Sequence, residues 1–335
     1  MGQGPETAVR PNLVVGLGEG LLRLDAPGRA RLEQADSLHV SVAGAELNVL
    51  AALVELGCRG RWVTRLPASP LGRLLERGAR AAGVETAVDW EEGGRAGLFF
   101  VEAGAAPRPG EVLYDRAGSS ASKLAGGQLD WERLLAGAAC LHSSGITCAL
   151  GEGPHAATLE ALAAARERGL VASFDVNFRS RLWSPERARA RLDEVLPLTT
   201  VLFASGHDVG MLLGLEGPAG AEEAEELRVR HGIEVVVLSG RSYGGHDLVT
   251  ATAAAVAGRV VSSRAYEAEV VDPFGAGDAS AAGFLAAHLA GEPLEVAVEQ
   301  AARLAALMHT IEGDALVLRG PERRTGYDGT RRLLR

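Results

Sequence analysis

Lysine is almost missing from this chain of 335 residues: Lys123 stands alone against thirty-three arginines. A Walker-type phosphate loop requires G-x-x-x-x-G-K and a protein kinase requires a strand lysine. Lys123 stands in neither context, which excludes both. If the protein handles phosphate, then backbone N–H groups, arginine or a metal ion must neutralise it. Cysteine is scarce as well. Cys58, Cys140 and Cys148 have no metal-ligand spacing and read as buried or inert thiols of a reducing compartment. No apolar run reaches the roughly 18 to 20 residues that a membrane helix needs, and Met1–Arg10 lacks the basic-then-apolar layout of a signal peptide. A cytoplasmic protein with no membrane partner is the expectation. The net charge of −9 argues against nucleic acid as a partner.

What remains is ordinary globular composition, 47% hydrophobic, and enough chain for one large α/β domain. Strands are expected at Leu13–Leu17, Arg61–Arg65, Cys140–Ser143, Val171–Val176, Val201–Ala204 and Glu234–Leu238. Helical periodicity runs through Glu46–Leu56, Ala156–Arg168 and Pro185–Val195 between them. This alternation implies a mainly parallel sheet flanked by helices, with ligands beyond the carboxyl ends of the strands. The first third breaks the rhythm. Ser37–Val42, Gly97–Val101 and Glu111–Tyr114 are short β-rich runs joined by Gly/Pro turns, and read either as a lid or as the edge of a mixed sheet. The expected organisation is one domain over 11–320, a β lid from segments within about 20–45 and 88–118, and a basic tail over 321–335.

Near the carboxyl end stands Val270-Val271-Asp272-Pro273-Phe274-Gly275-Ala276-Gly277-Asp278, followed by a run of small residues with helical character. A Gly-rich turn opening into a helix presents unpaired N–H groups and the positive end of the helix dipole, and so can hold an anion. Asp278 beside such a site reads either as a helix cap or as a base that takes a proton from a hydroxyl attacking phosphorus. Other strand ends finish in polar, glycine-containing groups. These are Val42-Ala43-Gly44-Ala45-Glu46-Leu47-Asn48, Tyr114-Asp115-Arg116-Ala117-Gly118-Ser119, Ser143-Ser144-Gly145-Ile146-Thr147 and Asp175-Val176-Asn177-Phe178-Arg179.

The segments V-A-G-A-E-L-N, Y-D-R-A-G-S-S-A-S, S-S-G-I-T, D-V-N-F-R-x-x-L-W and D-P-F-G-A-G-D, in this order, resemble the ribokinase-like (PfkB) sugar kinases. They are most similar to the 2-keto-3-deoxygluconate kinase branch, over roughly Leu13 to Gly291. The resemblance implies a Rossmann-like α/β domain with a β-sheet lid that often forms a dimer interface, and so a homodimer or higher homo-oligomer through the lid. It also implies transfer of the ATP γ-phosphoryl group to a sugar hydroxyl with Mg²⁺. Carried over by position, Asp278 would be the general base, and the N–H groups of Gly275, Ala276 and Gly277 the anion hole. Gly44 and Asn48 would contact sugar hydroxyls, Phe99 and Tyr114 would wall the pocket, and Ile146 would pack on the carbon chain or donate a backbone contact.

Arg116 and Arg179 point to an acidic sugar, because a neutral sugar gives two convergent guanidinium groups nothing to pair with. The alternative is a structural ion pair for each, Arg116 with the adjacent Asp115. On the nucleotide side the family's Asn-x-x-Glu is replaced by Ser205-Gly206-His207-Asp208. The glycine turn, with Ser239 before it, reads Gly240-Arg241-Ser242-Tyr243-Gly244-Gly245, one residue longer than usual. Arg303 stands where relatives often carry Asn near the adenine and could stack on a base, reach a phosphate or simply face solvent. Asp175 and Asp208 are the candidate metal ligands. A kinase for a neutral ketose or nucleoside, or a sugar-acid-binding protein with a degenerate nucleotide pocket, are the competing expectations.

Overall fold

The computed structural model describes residues 12–105, 107–215, 220–244 and 247–323. Met1–Arg10, Gly245 and the part of the basic tail beyond residue 323 lie outside the described residues. In chain order the first elements are β1 (Leu13–Leu17), β2 (Leu21–Asp25), β3 (His39–Ala43), α1 (Ala45–Glu55), β4 (Arg59–Pro67), α2 (Pro70–Ala81), β5 (Glu85–Glu91), β6 (Gly97–Glu102) and β7 (Glu111–Asp115). Then come α3 (Trp131–Leu134), β8 (Ala138–Ser144), α4 (Gly145–Ala149), α5 (Glu152–Glu167), β9 (Val171–Asp175), α6 (Pro185–Val195), β10 (Val201–Ser205) and α7 (Gly206–Leu212). The last group is α8 (Ala221–His231), β11 (Val235–Gly244), β12 (Asp247–Val256), β13 (Arg259–Ser262), β14 (Tyr266–Ala268), α9 (Ala276–Leu289) and α10 (Leu294–His309).

Among the described residues ten strands form the main sheet, in the order β13-β12-β11-β10-β9-β8-β1-β4-β5, with β14 paired to β12. From β11 to β5 every pairing is parallel. A parallel sheet is covered on both faces, so its strands must be apolar throughout, and all five residues of β1 are buried. One core contains Leu141, Leu162, Phe174, Leu202 and Leu227; the other contains Leu50, Trp62, Phe284 and Leu304. Ser69-Pro70 and Ser184-Pro185 start α2 and α6 in the same way. The hydroxyl accepts an N–H from the first turn, and proline sits where no N–H partner is needed. α9 is buried almost all round, and α10 approaches it closely at Gly283, where a Cβ would meet the Gln300 carbonyl oxygen at 3.0 Å.

Two expectations are corrected in the second half of the chain. The strand expected to stop at Leu238 runs on to Gly244, and β12 pairs antiparallel along its whole length. Gly240 and Gly244 therefore lie in an extended strand, opposite Ala251 and Asp247, and not in a glycine turn. The alanines of β12 (Ala251 and Ala253–Ala255) have little strand preference of their own, and the ladder with β11 holds them extended. The β-rich first third forms a separate sheet, in the order β3-β2-β6-β7, and not an edge of the main one. Its inner face carries Leu21, Ala43, Phe99 and Val101, which pack as a cluster against Phe274 of the turn before α9.

Candidate active site

Two cavities lie beyond the carboxyl ends of the strands and share a wall. The larger, about 410 Å³, is lined by Asp175, Ser205, Asp208, Ser239, Ala276 and Gly277, among others. The smaller, about 100 Å³, lies under the second sheet and is lined by Gly44, Asn48, Phe99, Tyr114, Arg116 and Ile146. Phe274, Gly275, Asp278 and Arg179 line both. The register explains the convergence: Ser144 pairs with Asp175, Phe203 with Asp175, and Ser205 with Ser239, so β8 and β9 end level, β10 ends two residues on, and β11 passes that point at Ser239.

The common wall is the start of α9. Gly275 has φ +74°, and a Cβ there would lie 2.4 Å from the Asp314 carbonyl oxygen, so both backbone shape and space require glycine. The first intrahelical bond from this point runs from the Ala279 N–H to the Gly275 carbonyl at 2.8 Å. The N–H groups of Ala276 and Gly277 precede it and have no partner within the helix. At Gly277 an added Cβ would meet nothing within 4 Å, so packing does not explain that glycine, whereas a ligand approaching the backbone would.

Asp278, 9% exposed, accepts a hydrogen bond from the Asn48 Nδ2 at 2.8 Å. Burial pushes its carboxyl up to about 7, against the Asn48 hydrogen bond and the Arg179 charge, with Asp314 and Glu46 adding to the rise. Asp175 is also held well above the ordinary carboxylate range, by burial and then by Asp278 and Asp208. Asp208 is raised by burial. Its carboxylate accepts the Ser205 N–H at 3.4 Å while its own N–H donates to the Ser205 hydroxyl at 3.2 Å, a capping box that starts α7. The Ser205/Asp208 pair thus has a clear structural use. Among the described residues no group of three or more His, Cys, Asp or Glu is arranged to hold a metal ion.

The arginines divide. Arg116 does not pair with Asp115, which binds Arg95 at 2.8 Å. Arg116 instead pairs with Glu19, a buried carboxylate in the loop after β1 that also accepts the Ser119 hydroxyl. The Arg116 side chain is 8% exposed, and its Nε–H has no partner among the described residues. Arg179 is exposed and has no ion pair among the described residues. Arg303 stands apart: it is buried, donates to the Glu322 carbonyl at 2.8 Å, and lines neither cavity. Gly240 lines neither cavity either. Arg241, two residues from Ser239 and on the same face of β11, lines the larger cavity together with Arg179.

The polar residues of S-S-G-I-T turn inward. Ser144 and Thr147 donate to Glu46 at 2.6 and 2.8 Å, and Ser143 donates to the Leu17 carbonyl at 2.9 Å. Only Ile146 of this group reaches the smaller cavity. In D-V-N-F-R-x-x-L-W, Phe178 and Trp183 pack in the core, while Asp175, Asn177, Phe178 and Arg179 line the larger cavity and Arg179 and Leu182 the smaller. Glu19, Glu46, Arg241 and Asp314 were not singled out from the sequence. Glu46 lay inside a quoted motif, and nothing near Glu19 in the chain signals its partner 97 residues away.

The raised Asp278 carboxyl has a stability consequence. Its folded value lies above the ordinary value, so its stabilising contribution is present below about pH 4 and lost as pH rises through about 7. Asp278→Asn is expected to gain stability over the wild type by up to about 4 kcal/mol at pH 8 and little at pH 4. Thermal unfolding at the two pH values checks this, and an equal difference at both contradicts it.

Comparison with known proteins agrees with this architecture. The model of the pfkB family of carbohydrate kinases matches residues 12–318. The chain is 39% identical to the 2-dehydro-3-deoxygalactonokinase of Haloferax volcanii over 305 residues, 91% of this chain and 93% of that one. It is 31% identical to the 2-dehydro-3-deoxygluconokinase of Thermoproteus tenax over 325 residues, 95% of each. The crystal structure of the 2-dehydro-3-deoxygluconokinase of Thermotoga maritima superposes with a TM-score of 0.87 at 36% identity, covering 92% of this chain and 96% of that one. A match over nearly the whole length, in sequence and in fold, makes this chain a member of the PfkB family and a carbohydrate kinase, a phosphotransferase with a sugar as acceptor.

Proposed function

We propose that this kinase transfers the γ-phosphoryl group of ATP to the terminal hydroxyl of a 2-keto-3-deoxy sugar acid, with 2-keto-3-deoxygluconate giving its 6-phosphate. The observation that carries the acidic substrate is the smaller cavity itself. Arg116 there keeps a buried N–H without a partner, and Arg179 stands without an acidic neighbour within ion-pair distance among the described residues. A buried guanidinium N–H left unpaired is costly, and a carboxylate is the acceptor that suits it best. A neutral ketose would offer no carboxylate to the Arg116 Nε–H and would leave Arg179 to water. The relatives from Haloferax, Thermoproteus and Thermotoga are named as kinases of 2-dehydro-3-deoxy acids, which supports the same class. The 39% identity to a galactonokinase makes the galacto-configured acid, epimeric at one carbon, the second substrate to test.

In this reading the sugar lies in the smaller cavity and the nucleotide phosphates in the larger, so the hydroxyl meets phosphorus at their common wall. Asp278 takes the hydroxyl proton as the oxygen attacks the γ-phosphorus, the bond to the β-phosphate oxygen breaks, and ADP leaves. A base near pH 7 is well matched to that proton. The N–H groups of Gly275, Ala276 and Gly277, at the positive end of α9, meet the charge on the transferring group. Asp175 is repelled by both Asp278 and Asp208 across the larger cavity, which a divalent cation would relieve. They would hold Mg²⁺ together with the nucleotide phosphates and water, and Mg²⁺ there would neutralise phosphate charge. Arg241 and Arg179 supply the cations that a lysine-poor chain otherwise lacks.

We also infer a homodimer through the outer face of the small sheet. Val40, Leu24, Phe100 and Leu113 stand in one row across its four strands, with Val40 46% and Leu113 44% exposed. Leu113→Asp places a charge in that row and is expected to give a monomer by light scattering where the wild type is a dimer. A monomeric wild type at about 10 µM sinks the inference.

Turnover should rise with pH through about 7 as Asp278 loses its proton. Asp278→Asn should lower kcat by about 10³-fold or more while sugar binding persists. Asn48→Leu removes the donor that favours the carboxylate, so the acid limb of kcat/KM should move to higher pH. A limb unmoved by either change removes Asp278 as the base. Arg179→Ala should lower kcat/KM for the acid by about 10- to 100-fold and for its neutral analogue far less; equal losses remove the carboxylate contact.

A further inference from the structure

Arg23 lies on β2, in the small sheet, yet its side chain is only 2% exposed. Three carboxylates surround its guanidinium: Asp25 at 2.7 Å, Asp272 at 2.6 Å, and Asp314. Asp25 belongs to the same strand. The other two belong to the main domain, on the two segments that enclose Gly275. Asp272 opens the turn before α9, and its carboxylate also accepts the N–H groups of Phe274 and Gly313, each at 3.0 Å. Asp314 presses its carbonyl oxygen against the Cα of Gly275, where no Cβ could fit. The guanidinium also lies over the ring of Phe274, 4.8 Å from its centroid, and that ring packs against Phe99 of β6 at 6.2 Å.

Stability alone does not account for this cluster. A cation placed among buried carboxylates often stabilises a fold no better than apolar packing of the same volume. What the fork of the guanidinium adds is direction: it fixes two separate backbone segments relative to one strand of the lid. We propose that Arg23 is a positioning residue for phosphoryl transfer. From the lid, it holds the Asp272–Gly277 turn so that the N–H groups of the anion hole point at the transferring phosphoryl group. The proposal rests on the anion-hole assignment above. It makes the lid wall that contacts the sugar and the turn that stabilises the reacting phosphate one mechanical unit. Asp25 holds Arg23 only from its own strand, so it is not part of the link.

The test compares wild type, Arg23→Met, Arg23→Lys and Asp25→Asn. Steady-state kinetics on the acidic sugar are combined with calorimetric binding of Mg-ADP, with and without aluminium fluoride, in the presence of that sugar. Aluminium fluoride stands in for the phosphoryl group in transit, so its contribution reports the anion hole independently of turnover. Arg23→Met is expected to lower kcat about 100-fold, with KM for sugar and ATP within about threefold of wild type. The gain in affinity on adding aluminium fluoride should fall by a similar factor. Arg23→Lys should recover part of both losses, and Asp25→Asn should change neither by more than about twofold. If Arg23→Met fails to fold, Arg23→Lys must show the same split between kcat and KM. Wild-type kcat in the folded variants, or a loss shared equally by Mg-ADP affinity and the aluminium fluoride gain, overturns the positioning role. A wild type that gains no affinity from aluminium fluoride overturns the anion hole itself and the positioning role with it.

Discussion

One constraint governs the site: a carboxyl group must be kept inside the protein at the start of a helix without a full counter-charge. Asp278 has the α9 dipole and the Asn48 amide in its favour, and burial with Asp314 and Glu46 against it. The balance leaves its proton affinity near neutrality, where a base for a hydroxyl is most effective. Each surrounding feature serves that balance. α1 carries both Asn48 and Glu46, and the hydroxyls of Ser144 and Thr147 hold Glu46 in place. The helix that presents the amide is thereby tied to the carboxyl end of β8.

The parallel sheet brings these parts to one level, and the small sheet closes the arrangement from the other side. The two cavities share Phe274, Gly275, Asp278 and Arg179, so a group transferred between them must pass the N-terminus of α9. This geometry suits phosphoryl transfer, in which positioning and charge stabilisation supply nearly all the catalysis. Arg23 and Phe274 extend the arrangement into the small sheet, where buried polar and aromatic contacts link Phe99 to the turn before α9.

Much of this was legible in the sequence, and the parts that were not share a physical cause. The parallel strands announce themselves as β-branched apolar runs because both their faces are buried, and D-P-F-G-A-G-D shows a helix start with a carboxylate in its first turn. What the chain does not display locally is which way a polar side chain faces and what it meets far along the sequence. Arg116 suggested a substrate carboxylate or, as a structural alternative, Asp115, and nothing local pointed to Glu19, with which it pairs. The Ser and Thr of S-S-G-I-T suggested a ligand and serve Glu46 and a carbonyl instead. Arg303 suggested a nucleotide contact and is held by Glu322, whereas Arg241, inside an apparent turn, reaches the cavity because that turn is a strand. Each of these turns on tertiary pairing that local pattern cannot encode.

The central claim is that a buried base and two guanidinium groups select an acidic sugar for phosphorylation. Coupled ADP release across a panel of sugar acids and neutral sugars, at equal ATP and Mg²⁺, tests it most directly. The account predicts kcat/KM for 2-keto-3-deoxygluconate or its galacto epimer at least about 100-fold above that for ribose, fructose or a nucleoside. Neutral sugars turned over as well as the acids, or no ADP released with any acid, would contradict it.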